Sequence, residues 1–185
     1  MLTFWQFVLC FLFISVTIPH VAHAQRGWYI GTNAGYDQLV YDDESDRRVG
    51  PTYDLDFGFN FNDQLGVFAT LGGSFYDGGK SKRGSIDVGP RFVLSKDTKF
   101  QPFLDLQGTI STIDNGAFNF SRNGFGGTSS VGVHYFLNHA IALKGITSVS
   151  RVYYNDVKFG GLPVDGLEKI GMYYRLRTGI AFYFR

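Results

Sequence analysis

The stretch Tyr53-Asp54-Leu55-Asp56-Phe57-Gly58-Phe59-Asn60-Phe61 places a large apolar side chain at every odd position and Asp, Gly or Asn at every even one. Extended backbone points successive side chains to opposite faces, so this is a strand with one apolar and one polar face. The same period recurs along the chain. Trp28, Ile30, Thr32, Ala34 and Tyr36 oppose Tyr29, Gly31, Asn33, Gly35 and Asp37 in the segment before it. Leu65, Val67, Ala69, Leu71 and Phe75 oppose Gly66, Thr70, Gly72 and Ser74 in the one after, and Ile86, Val88, Pro90, Phe92 and Leu94 oppose Ser85, Asp87, Gly89 and Arg91 in the next. The pattern continues through Gln101 to Ile110 and Thr128 to Leu137. It is poorest from Ile141 to Val152, where Ile146 and Val152 share a face with Lys144 and Ser148, and it recovers from Ile170 to Phe184. Each segment has roughly the ten residues a tilted strand needs to cross a hydrocarbon layer.

The connections between these eight segments alternate in length. Asn62-Asp63-Gln64, Ser95 to Lys99 and Asn138-His139 are short; Val40 to Gly50, Asp77 to Gly84, Thr112 to Gly124 and Asn155 to Lys169 are long and polar. Alternation of this kind belongs to an up-and-down barrel with tight periplasmic turns and longer outer loops. The expected fold is all-β, an eight-stranded antiparallel up-and-down transmembrane β-barrel. Composition agrees: 24 Gly, 19 Phe and 11 Tyr with 18% charged residues suit strands and turns better than a helical bundle. After Gln25 no apolar run is long enough for a spanning helix. A net charge of +1 gives no general attraction to nucleic acid.

The polar face carries Asp54, Asp56, Asp87, Arg91, Asp105, Lys144, Arg175 and Arg177 among small residues. A water-facing surface would hold more Lys and Glu, whereas an eight-stranded interior is just wide enough for side chains to fill. These acids and bases are therefore expected to form a lumenal charge network, since unpaired buried charges cost several kcal/mol. Inward glycines are expected to make room for Tyr29, Phe103, Tyr173 and the arginines.

Residues 1–24 form an uncharged, mostly apolar leader ending in Ala22-His23-Ala24, a small-x-small pattern of the kind signal peptidase cleaves. The expected organisation is a cleaved signal peptide over 1–24 and a barrel over 25–185. Cys10, the one cysteine, lies within the leader, so the exported chain has no thiol chemistry.

Several pieces resemble the OmpA-like and OmpX-like outer membrane barrels. Trp28-Tyr29-Ile30-Gly31 through Gly35-Tyr36 is similar to that family's first strand, and Phe61 to Ala69 and Val131 to Leu143 are similar to its strand, turn, strand units. Arg177-Thr178-Gly179-Ile180-Ala181-Phe182-Tyr183-Phe184 resembles the terminal signature read by the barrel-assembly machinery, which implies Arg177, Gly179, Phe182 and Phe184 as an assembly signal. Arg185 after the last aromatic departs from the usual ending. The peptidoglycan-binding domain of full-length OmpA is not expected here. The resemblance implies the cell outer membrane as location, and membrane lipid, lipopolysaccharide and the assembly machinery as partners.

Three function classes fit such a barrel. The first is a non-enzymatic envelope or surface-interaction role through the outer loops, with a host or envelope ligand. Asp42, Asp43, Glu44 and Asp46 beside Arg47 and Arg48 charge the first loop, and Lys80, Lys82 and Arg83 make the second basic; such a loop suits lipopolysaccharide phosphates, but plain solvation is the preferred reading because loops are usually polar. The second is a narrow porin-like, OmpW-like diffusion channel. The third is a lipid A-modifying enzyme, which needs a histidine and a nucleophile near the outer leaflet. Beyond the leader the histidines are His134 and His139, both expected at the periplasmic end. The favoured reading is non-enzymatic, with no catalytic residue, metal, cofactor or nucleic-acid partner.

Overall fold

The computed structural model describes residues 26–41, 47–95, 99–116, 119–164 and 169–184. The leader, the acidic run Asp42 to Asp46 and Arg185 lie outside the described residues. Strands β1 (Gly27–Tyr41), β2 (Arg47–Asn60), β3 (Leu65–Tyr76), β4 (Ser81–Val93), β5 (Phe100–Asn115), β6 (Phe120–Phe136) and β7 (Ile141–Phe159) pair antiparallel in sequence order. A two-residue strand β8 (Leu162–Pro163) folds back on the end of β7, and β9 (Lys169–Phe184) pairs with both β7 and β1. That last pairing runs from Trp28 opposite Phe184 to Tyr41 opposite Gly171 and closes the sheet, leaving no barrel edge. Eight strands, β1 to β7 and β9, make the wall.

The alternation in sequence is the alternation in space. Leu55, Ile86, Leu143 and Leu176 stand on the outer face at 45–68% exposure, while Asp54, Asp56, Asp87 and Lys144 are buried inside. So large an apolar exterior is a surface for lipid, not water. Trp28, Phe59, Phe61 and Phe184 gather at one end of that exterior, with Trp28 and Phe61 each edge-on to Phe59. Tyr36, Tyr53 and Tyr174 stand exposed toward the other end. Aromatic residues placed so mark the two membrane interfaces.

Two short turns share one device. Asn62 Oδ1 accepts from the backbone N–H groups of Gln64 and Leu65 at 2.8 Å, and Asn138 Oδ1 accepts from Ala140 and Ile141 at 2.8 and 2.9 Å. An Asn side chain standing in for a backbone acceptor is what makes such tight reversals cheap.

At the opposite end the strands run further than the sequence pattern implied. β5 continues to Asn115 and β6 begins at Phe120, so most of Thr112 to Gly124 is strand. A register shift at Asn123/Gly124 obscured the period there. Likewise β4 starts at Ser81 and β2 at Arg47, so Arg83 and Arg48 are strand residues, not loop residues. β7, the poorest segment by pattern, is the longest strand at 19 residues. At about 3.3 Å per residue and a tilt near 40°, such a strand rises roughly 48 Å against an apolar band of about 25 Å. The excess stands on the extracellular side, since the tight turns are at the other end.

Candidate functional site

The lumen is filled in three layers. Toward the tight-turn end, Tyr29, Phe68, Phe136, Ala142, Ala181 and Tyr183 form a buried apolar cluster. Toward the extracellular end, Leu39, Tyr41, Tyr76, Ile113, Val152, Tyr154 and Tyr173 form another, with the Tyr154 and Tyr173 hydroxyls hydrogen-bonded. Between and against them, among the described residues, lie five buried ion pairs.

Asp56 accepts from Lys144 at 2.6 Å and from Thr70 and Asn33 at 2.9 Å each. Arg91 holds Asp105 in a fork, Nε and Nη2 donating at 2.8 and 2.9 Å, while its Nη1 donates to the Tyr29 hydroxyl at 2.8 Å. The Arg91 guanidinium also stacks on Phe103 and Phe68, 4.0 and 4.4 Å from the ring centres. Arg177 pairs with Asp54 and donates to Ser148. Arg175 pairs with Asp87 at 3.2 Å, and Thr109 donates to the same carboxylate at 2.6 Å. Thus the structure brings all eight charged residues of the polar face into four pairs.

The fifth pair joins Arg83 to Asp37 at 3.2 Å. By its sequence Arg83 belongs with Lys80 and Lys82 in a basic outer loop. Its guanidinium instead lies 3.8 Å over the Tyr173 ring and donates to Ser111, while Ser74 and Tyr76 donate to Asp37. Its parity with Ser85, Asp87 and Arg91 was the available signal. Lys80 and Lys82 do remain exposed.

Most of these pairs cross the lumen. β9 and β4 are diametrically opposite in an eight-stranded ring, so Arg175 to Asp87 spans its full width. Lys144 on β7 reaches Asp56 past Gly31, where a Cβ would collide with the Lys144 Nζ. Gly132 likewise leaves the space taken by the Phe103 ring. The expected accommodation of large inward side chains is thus visible at these glycines.

His134 is buried in the lumen, its Nδ1 3.1 Å from the Tyr183 hydroxyl and its ring 4.7 Å from that of Phe103. His139 is exposed at the short turn. Of the residues implied as an assembly signal, Phe182 and Phe184 are exposed on the outer face opposite Ile30 and Trp28, Gly179 faces inward, and Arg177 is held by Asp54. Outside the membrane-spanning segments, a hydrogen bond from Asn123, helped by Lys158, holds the Asp156 carboxyl below the usual carboxylate range. Among the described residues no cluster of His, Cys, Asp and Glu could hold a metal ion.

The model of the outer membrane protein beta-barrel domain matches residues 7–164. The chain belongs to this family. As an outer membrane barrel it shares its fold with Neisserial surface protein A, at a TM-score of 0.64 and 16% identity, over 85% of this chain and 97% of that one. OprG of Pseudomonas aeruginosa gives 0.55 and 15% over 88% and 98%, and the N-terminal barrel of OprF from the same organism 0.51 and 11% over 84% and 97%. At such identities the likeness is one of fold alone. No curated protein sequence matches the chain.

Proposed function

We propose that this outer membrane barrel is non-enzymatic and works through its extracellular end, after export by a leader cleaved behind Ala24. The observation that carries this is the asymmetry of a filled lumen beneath strands that rise well past the membrane. Structural investment beyond the bilayer lies on one side, as a surface for contact. Arg47, Lys82 and Arg151 are exposed on the outer face of β2, β4 and β7, where they suit lipopolysaccharide phosphates.

The filled lumen speaks against a diffusion channel. The purified barrel in planar bilayers is expected to give no step-like currents, and discrete conductance would sink that part of the reading. His134 sits beside the tight-turn apolar layer, remote from the outer leaflet, which speaks against lipid A chemistry. The surface role itself is tested by expressing the wild type and a form with 116–120 and 159–169 shortened to two-residue turns in a host lacking related barrels. The wild type is expected to change adhesion, serum survival or detergent resistance, and the shortened form to lose the effect; equal behaviour of the two would refute it.

Phe182 and Phe184 stand free on the outer face for the assembly machinery to read. Phe184→Asn is expected to lower outer membrane levels several-fold, scored by the heat-modifiable band on unboiled gels. Unchanged levels would remove Phe184 from that role.

A further inference from the structure

On the outer wall, across β5, β6, β7 and β9, lies a groove of about 470 Å³. Pro102, Val133, Gly145 and Thr178 are successive cross-strand partners along it, and Val131, Thr147 and Leu176 are partners in the row that borders them. Leu94, Val131 and Leu176 are 52–68% exposed, so the groove opens to the surroundings of the barrel and not to its lumen. Among the described residues its one charged lining residue is Arg177, which faces inward and is held by Asp54. Gly145 leaves the groove open. Its backbone does not demand glycine: its φ is not positive, and an added Cβ would meet nothing nearer than the Val133 Cγ1 at 3.7 Å, an ordinary contact. At Gly31 and Gly132, by contrast, lumenal side chains take the place of a Cβ. Glycine weakens a strand, and one without a steric reason marks a place where something else comes close.

We infer that this groove seats one acyl chain of a phospholipid in the inner leaflet of the outer membrane. The wall around it is the lipid-facing surface of the barrel, so acyl chains are the medium that meets it. Leu94 and Pro102 border the short connection between β4 and β5 at the periplasmic end, and Gly145 is the fifth residue of β7, which starts at that end. That depth belongs to the phospholipid leaflet; lipopolysaccharide lies toward the opposite end. The volume is that of one long saturated chain. With no charged side chain turned into it, the groove selects the chain and not the headgroup. In lipid no hydrophobic gain separates one apolar surface from another, so the seat holds its chain by van der Waals contacts that a convex wall cannot supply. The inference goes beyond the extracellular role proposed above and stands or falls separately from it.

The test is native mass spectrometry of the folded barrel released from detergent after titration with dipalmitoyl phosphatidylethanolamine, dipalmitoyl phosphatidylglycerol, dilauroyl phosphatidylethanolamine and lipid A. One retained lipid per barrel is expected with either dipalmitoyl lipid, at similar affinity, and weaker retention with the dilauroyl lipid. Gly145→Leu fills the groove and is expected to lower retention about fivefold. Thr178→Leu, on the neighbouring strand, is expected to act in the same direction and suffices if Gly145→Leu fails to assemble. Gly127→Leu is the control, since that glycine is exposed on the outer face with the same room, 3.7 Å from an added Cβ to the nearest atom, and lies outside the groove. It is expected to leave retention unchanged. Heat-modifiability confirms that each variant is folded. Equal retention by the wild type and both groove variants overturns the inference, as does equal loss on Gly127→Leu. Preference for one headgroup over the other overturns the assignment to the chain, and retention of lipid A in place of phospholipid overturns the leaflet. A lipid-free dimer that Gly145→Leu abolishes would give the groove to a second copy, and a lipid-free monomer would give it to the chain's own residues; either result overturns the seat.

Discussion

Asp56→Ala is expected to destabilise the folded barrel by about 3–5 kcal/mol, the usual effect of stripping a buried charge of its partner. Lys144 has a side chain of 0% exposure and lies 2.6 Å from the carboxylate it would lose. Thr70 and Asn33 would lose their acceptor in the same step. Urea unfolding from lipid vesicles measures the loss. The double variant Asp56→Leu with Lys144→Met should recover most of it, because removing both charges also removes the cost of burying them. The contrast is Asp63→Asn, which breaks the exposed pair with Arg26 at 3.5 Å. Such surface pairs contribute about 0–1 kcal/mol. If the two single variants cost the same, Lys144 does not carry the penalty of a buried charge left unpaired.

Gly132→Val is the second large effect. The Cβ would lie 2.4 Å from the Phe103 Cζ and 2.7 Å from the Gly145 carbonyl oxygen, so neither the side chain nor the neighbouring strand can yield without strain. Phe103 is itself held by the Arg91 guanidinium. Overpacking of this kind costs about 1–3 kcal/mol and here should reach the upper end or prevent assembly. Phe103→Leu in the same chain should relieve part of the loss, read as recovery of the heat-modifiable band. Gly84→Ala, on the outer face with nothing within 4 Å of its added methyl, should change little. Equal penalties at Gly132 and Gly84 would show that strand glycines matter for backbone freedom rather than for lumenal space.

The wall of the barrel was legible because its rule is local. Period two is written into each strand, so even β7, where Ile146 and Val152 break the polar character of the inner face, kept its orientation. The outer ends were harder, because beyond the membrane the outer face need not be apolar. Thr112, Asn123 and Lys82 look like loop residues although they sit on strands. That misplacement hid Arg83 from the lumen. Partners in the lumen were beyond sequence altogether. Arg91 with Asp105 joins neighbouring strands and follows from register, but Arg175 with Asp87 depends on which strands face each other across a closed ring.

The cross-lumen pairs also bear on biogenesis. Arg175 and Arg177 sit on β9, and their acids Asp87 and Asp54 on β4 and β2. A chain stalled before its final strand docks would leave both acids without counter-ions in a wall already facing lipid. Docking of the last strand therefore supplies two counter-ions at once, and an open intermediate carries the cost of two acids left unpaired. The last strand is thus the one that neutralises acids on two other strands as the circle closes.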